Sequence, residues 1–126
     1  MIKVLLIGAG GFLGVISRYG AGMAFTKILP GDFPAGTMII NFLGSLLIGF
    51  FYEISLRPSM LHENIVAAIM VGVLGGFTTF STFSLETVNL LESGRIWLGI
   101  CNVLLSVAVC VLAVLIGKAL ARGFAA

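Results

Sequence analysis

Gly75-Gly76-Phe77-Thr78-Thr79-Phe80-Ser81-Thr82-Phe83-Ser84-Leu85-Glu86 is the stretch on which the fold turns. It lies inside a mostly apolar run, about residues 64–91, long enough to cross a bilayer. Its residue types nevertheless make a poor helix interior. Glycine weakens a helix through backbone entropy, and the β-branched and hydroxyl residues through restricted rotamers and competing hydrogen bonds. The stretch therefore predicts a third membrane helix broken at mid-membrane. A break there frees carbonyls and N–H groups, which are tolerated when buried in protein and commonly hold ions. Carbonyl oxygens are hard ligands that suit a small cation.

Working outward, three more segments reach the roughly 20 apolar residues that a helix needs to span a hydrocarbon core of about 30 Å. They are about 4–25, 35–56 and 96–117. The connections are short: a Pro-Gly turn at Leu29-Pro30-Gly31-Asp32-Phe33-Pro34, a breaker at Arg57-Pro58-Ser59, and Glu92-Ser93-Gly94-Arg95 after the third helix. Backbone groups in lipid must be satisfied internally, so these are helices. The fold class is an all-α membrane protein with four transmembrane helices in one domain over residues 1–126, multi-pass in the cell (inner or plasma) membrane.

Composition agrees. Of 126 residues, 60% are hydrophobic and 10% charged, against about 25% charged in soluble domains. A soluble chain of this size could not hide so much apolar surface, so lipid is the expected surrounding. A net charge of +2 with no Lys/Arg run argues against nucleic acid as a partner. Cys101 and Cys110 make no CxxC and have no nearby His, so they read as small packed residues rather than a zinc or redox pair. The start of the chain resembles a signal peptide through Lys3 and the apolar run behind it. The run is too long and lacks a small-x-small cleavage site, which leaves it as the first helix.

That helix also carries a decoy. Glycines at 8, 11 and 14 after a hydrophobic run mimic a dinucleotide-binding loop, a reading that needs a βαβ unit and an acid closing a second strand. Asp32 instead stands in the Pro-Gly turn. Gly10/Gly14 and Gly72/Gly76 read better as GxxxG pairs that let helix backbones approach closely in lipid.

Four cations (Lys3, Arg57, Lys118, Arg122) fall on one side of the four spans and three (Arg18, Lys27, Arg95) on the other. Orientation normally follows a Lys/Arg excess on the cytoplasmic side. A near balance permits insertion both ways, and hence an antiparallel homodimer.

Polar residues recur at helical spacing on three helices: Thr37, Asn41 and Ser45; Asn102, Ser106 and Cys110; and the set from Thr78 to Glu86. A single membrane Ser or Thr usually bonds its own helix carbonyl. Three stripes rich in N–H and O–H donors describe a path for something small and polar, an anion above all. Phe80 and Phe83 share a face that Glu86 continues. Ring edges carry the positive part of the quadrupole and touch an anion without holding it as tightly as Arg does.

The segments Gly10-Gly11-Phe-Leu-Gly14-Val-Ile-Ser-Arg18-Tyr19, Gly36-Thr37-Met-Ile-Ile-Asn41-Phe-Leu-Gly44-Ser45 and Gly75-Gly76-Phe-Thr-Thr-Phe80-Ser-Thr-Phe83-Ser resemble the signatures of the Fluc (CrcB) fluoride channels. The resemblance runs over the whole length and in the right order. It implies an antiparallel dual-topology homodimer with two fluoride pores and a structural sodium ion at the centre, held by backbone carbonyls that carry over to Gly75 and Thr78. It places Asn41, Phe80 and Phe83 in the pore, with Ser81 and Thr82 on a hydroxyl track and Thr37 and Ser106 nearby. Glu86 is similar to the acid near one pore mouth, and Arg18 to the vestibule cation. Some relatives carry a larger polar side chain on helix four, for which Asn102 and Ser106 are the candidates here.

The resemblance thus implies passive export of fluoride accumulated as HF, with no reaction catalysed and no cofactor turned over. Two alternatives stay open. A proton-coupled multidrug exporter needs an embedded acid, for which Glu86 is the only deep candidate; a non-transporting assembly subunit would use the polar stripes as interhelical glue.

Overall fold

The computed structural model describes residues 1–57 and 61–124. Pro58 and Ser59, expected to break the chain after Arg57, lie outside the described residues. Every regular element among the described residues is helical: α1 (Ile2–Ile28), α2 (Ala35–Ser55), α3 (Glu63–Ala67), a π-helical segment (Ala68–Leu74), α4 (Gly75–Phe77), α5 (Phe80–Glu92) and α6 (Ile96–Phe124). Four spans, Ile2–Ile28, Ala35–Ser55, Glu63–Glu92 and Ile96–Phe124, are long and apolar enough to cross a membrane.

Three of the helices outrun their apolar runs, because polar ends cost nothing where a helix leaves the hydrocarbon. α6 continues past residue 117 through Lys118 and Arg122, which Glu53 on α2 engages. Arg122 donates from Nε to Glu53 Oε1 at 2.7 Å, Lys118 Nζ lies 3.6 Å from Oε2, and Lys118 also sits 5.0 Å over the Tyr52 ring. The third span stops where Gly94 takes φ 78, a left-handed value that glycine adopts without a Cβ penalty. The N–H groups of Gly94 and Arg95 turn back to Leu91 O and Leu90 O at 3.1 and 2.8 Å, a Schellman cap.

Between α4 and α5 the chain leaves helical geometry. Thr78 has φ −80, ψ 158 and Thr79 φ −149, ψ 113, both extended. Helix resumes at once because the Thr79 hydroxyl accepts the Thr82 N–H at 3.2 Å, an N-cap.

Glycine sets the helix contacts. Gly10 and Gly72 face each other across α1 and the π-helical segment: a Cβ on Gly10 would stand 2.5 Å from Ala68 O, and one on Gly72 2.6 Å from Ile7 O. One turn on, a Cβ on Gly76 would stand 2.8 Å from Gly11 O. α1 and the third span therefore run parallel, joined by the two expected glycine pairs. α2 and α6 meet the same way, Gly49 against Val114 and Gly117 against Leu46 and Phe50. α2 lies antiparallel to the third span, with Gly44 against the Thr78 methyl. The outward faces stay apolar, with Phe12, Tyr19, Trp97 and Leu104 among many exposed large side chains, as a lipid-facing bundle requires.

Candidate functional site

The polar groups gather where α2 crosses the extended pair. Asn41 lies on α2 opposite Thr79, and its amide pairs with the Thr79 backbone in both directions. Nδ2 donates to Thr79 O at 3.0 Å, and Oδ1 accepts the Thr79 N–H at 2.8 Å. A side chain thus supplies the donor and acceptor that a neighbouring strand would supply, and Thr79 can be buried to 7% exposure without orphaned backbone groups.

The same bonds withdraw partners from two carbonyls. In an unbroken helix the Thr79 N–H would go to Gly75 O and the Thr82 N–H to Thr78 O. Here they go to Asn41 Oδ1 and to Thr79 Oγ1. The carbonyls of Gly75 and Thr78 are therefore, with those of Gly76 and Phe77, left outside the helix ladder. Gly75 itself is helical, φ −63, ψ −37, and exposed on the surface, while Thr78 is half-buried with its hydroxyl on Leu74 O at 3.0 Å.

Two depressions meet at Thr79. One is a cavity of about 280 Å³ lined by Asn41, Ser45, Thr78, Phe80, Phe83 and Ser106, among others. The Phe80 and Phe83 rings pack with centroids 5.3 Å apart and planes at 46°. Phe83 is buried and Phe80 is 77% exposed, so the cavity opens beside an aromatic surface that the described residues leave largely uncovered. The other is a cleft of about 1210 Å³ under the Leu29–Pro34 loop. Its lining includes Arg18, Thr37, Ser81, Thr82 and Glu86.

Hydroxyls link these walls. Thr79 Oγ1 donates to Thr82 Oγ1 at 2.9 Å and lies 3.2 Å from Ser81 Oγ. Thr37 donates to Glu86 Oε1 at 2.8 Å, while Glu86 Oε2 is buried with no partner among the described residues. The structure thus divides the sequence candidates: Asn41, Phe80, Phe83, Ser106 and Thr78 on the cavity, Arg18, Thr37, Ser81, Thr82 and Glu86 on the cleft, Gly75 on the outer surface.

Of the two helix-four candidates, Ser106 lines the cavity. Asn102, 1% exposed, donates to Thr87 Oγ1 at 2.8 Å and accepts from Ser106 Oγ at 3.3 Å. Its amide joins α6 to α5, and Thr87 in turn donates to Phe83 O at 2.8 Å. Thr79, the residue shared by both depressions, was not among the sequence candidates. A Thr immediately before a resumed apolar run is an N-cap signal that points to it.

The family model described as CrcB-like protein, Camphor Resistance (CrcB) matches residues 5–118. The chain is similar to proteins named fluoride-specific ion channel FluC. That of Ruminiclostridium cellulolyticum is 44% identical over 125 residues, which cover 99% of this chain and 96% of that one. That of Clostridium perfringens is 44% identical over 122 residues, 97% and 95% of the two chains. That of Campylobacter lari is 44% identical over 114 residues, 90% and 93%. With four membrane-spanning helices and a family match over nearly its full length, the chain is a multi-pass membrane protein belonging to the CrcB-like family.

Proposed function

We propose that the protein is a fluoride-selective channel for passive export of cytoplasmic fluoride, working as an antiparallel homodimer with two pores and a central sodium ion. The observation that carries this reading is the Asn41–Thr79 pair at the junction of a hydroxyl-lined cleft and a phenyl-lined cavity. Fluoride is strongly hydrated, and a pore must replace lost water without holding the ion too deeply. Asn41 carries a second N–H beyond the one given to Thr79, and the hydroxyls of Ser106, Ser81, Thr82 and Thr37 supply further donors. Phenyl edges at Phe80 and Phe83 offer weak contacts. The relatives named fluoride-specific ion channels support the choice of anion. The exporter alternative would rely on Glu86 as its deep acid, since α1 contains none and Glu53 at the end of α2 is engaged by Lys118 and Arg122.

The test is fluoride efflux from liposomes holding the purified protein, followed with a fluoride electrode. The parent should release fluoride quickly and chloride hardly at all. Phe83→Ile keeps bulk and removes the ring edge. An edge contact worth about 1 kcal/mol corresponds to roughly fivefold slower efflux. Parent-like efflux from Phe83→Ile would make Phe83 a packing residue.

Sodium fits the residues present. Gly75 and Thr78 offer hard carbonyl oxygens that lack helix donors, and no group of three His, Cys, Asp or Glu gathers among the described residues. Two carbonyls are too few for a cation. The exposed Gly75 and Phe80 surface favours a second copy that supplies the rest. The near balance of cations allows that copy to be inverted. Binding only to the assembled form stabilises it by mass action. Exhaustive sodium removal should therefore lower both the dimer fraction and fluoride efflux, with lithium or potassium restoring them poorly. Cysteines placed at the termini should be labelled from both faces of the membrane. An unchanged dimer without sodium, or labelling from one face alone, would overturn the respective part.

A further inference from the structure

Four charged side chains line the cleft: Arg18 and Arg95, Asp32 and Glu86. Glu86 lies inside, bonded to Thr37. Asp32 and Arg95 sit at the rim on different connections. Asp32 is in the loop between α1 and α2, Arg95 in the turn between α5 and α6, and they form a salt bridge. Their side chains are 61% and 46% exposed, so the pair faces water over the cleft. A surface pair of this kind holds loops together weakly. Its charges nevertheless stand at the mouth of a concave, low-dielectric-walled cleft, where fixed charge governs the local concentration of mobile ions.

We infer that Asp32 sets the rate at which anions enter the cleft by neutralising Arg95. Unpaired, Arg95 would join Arg18 as a second attracting charge. Paired, it leaves the rim electrically neutral, so entry depends on Arg18, Glu86 and the polar lining. Asp32 is then a rate-determining residue that never touches the conducted ion. This inference rests on the fluoride-channel reading.

Two opposite expectations separate electrostatic control from a mechanical clasp. If charge is what matters, Asp32→Asn leaves Arg95 uncompensated and speeds efflux, while Arg95→Gln leaves Asp32 uncompensated and slows it. The double variant returns towards the parent. If the pair merely fastens two connections, both single variants lose the fastening and shift efflux in the same direction.

The measurement is initial fluoride efflux from uncharged phosphatidylcholine liposomes, at about 10 mM and about 1 M ionic strength, where the screening length falls from about 30 Å to about 3 Å. At low ionic strength Asp32→Asn should be about twofold faster and Arg95→Gln about twofold slower, the size of one unit charge acting across roughly 10 Å of water. The differences should vanish at high ionic strength. Same-direction changes that persist in high salt, or no difference among the variants in low salt, would overturn the inference while leaving the channel reading intact. A parent inert to fluoride would overturn the channel reading itself, and this inference with it.

Discussion

Asn41→Ala is expected to leave a protein that inserts and purifies but conducts fluoride at least about tenfold more slowly. The substitution removes both partners of the Thr79 backbone, the acceptor at 2.8 Å and the donor at 3.0 Å. Thr79 is 7% exposed, so water cannot freely replace them. Each orphaned group costs about 1–3 kcal/mol, and the extended conformation at Thr78 and Thr79 loses its main external support. The chain can recover by drawing Thr79 back into a helix with Gly75 O as acceptor, which straightens the third span and closes the junction of cleft and cavity. Asn41→Asp isolates the donor. The carboxylate still accepts the Thr79 N–H but offers no N–H to Thr79 O, and it adds a negative charge to the path proposed for the anion. Efflux should fall at least as far as for Ala. Parent-like efflux from either variant, checked for monodispersity, would take Asn41 out of the pore.

Gly72→Leu should have the largest effect on assembly. A Cβ at residue 72 would stand 2.6 Å from Ile7 O and 3.1 Å from both Gly10 Cα and Gly11 N. All of these are backbone atoms of α1, which cannot rotate away as a side chain can. Overpacking a well-packed core costs about 1–3 kcal/mol even where side chains yield, and here the two helices must separate. Yield of monodisperse protein should drop by an order of magnitude or more, and Gly72→Ala should already show a partial loss. Gly20→Ala is the control, since a Cβ there meets nothing within 4 Å, and its yield should match the parent. Equal yields for Gly72→Leu and Gly20→Ala would show that the α1 contact is not needed for folding.

Much of the candidate site was legible in the residue types. The donors are polar groups in otherwise apolar runs, and that contrast is visible without coordinates. Thr37 and Asn41 line the two depressions one turn apart because a helix repeats its face at that spacing. The Asn102, Ser106 and Cys110 stripe was equally visible, but spacing could not say which of its polar groups would be consumed internally. Asn102 meets Thr87 on the neighbouring helix, and only Ser106 and Cys110 reach the cavity. The π-helical segment at Ala68–Leu74 carried no such signal. Its residues read as an ordinary apolar membrane run, and the widened turn accompanies the close approach of Gly72 to α1, a tertiary contact.

By itself the sequence determined the number of spans, their approximate limits, the GxxxG pairs that make close helix contacts and the position of the weak stretch after Gly75. Each follows from local properties: the length of an apolar run, the period of a helix, the missing glycine side chain, the poor helix propensity of Gly and Thr. The tertiary structure decided which two residues become extended and which carbonyls lose their helix donors. The reason is that α-helix and extended backbone compete for the same N–H groups. At Thr79 the outcome is set by Asn41, a side chain 38 residues away, whose position depends on how α2 packs against the third span.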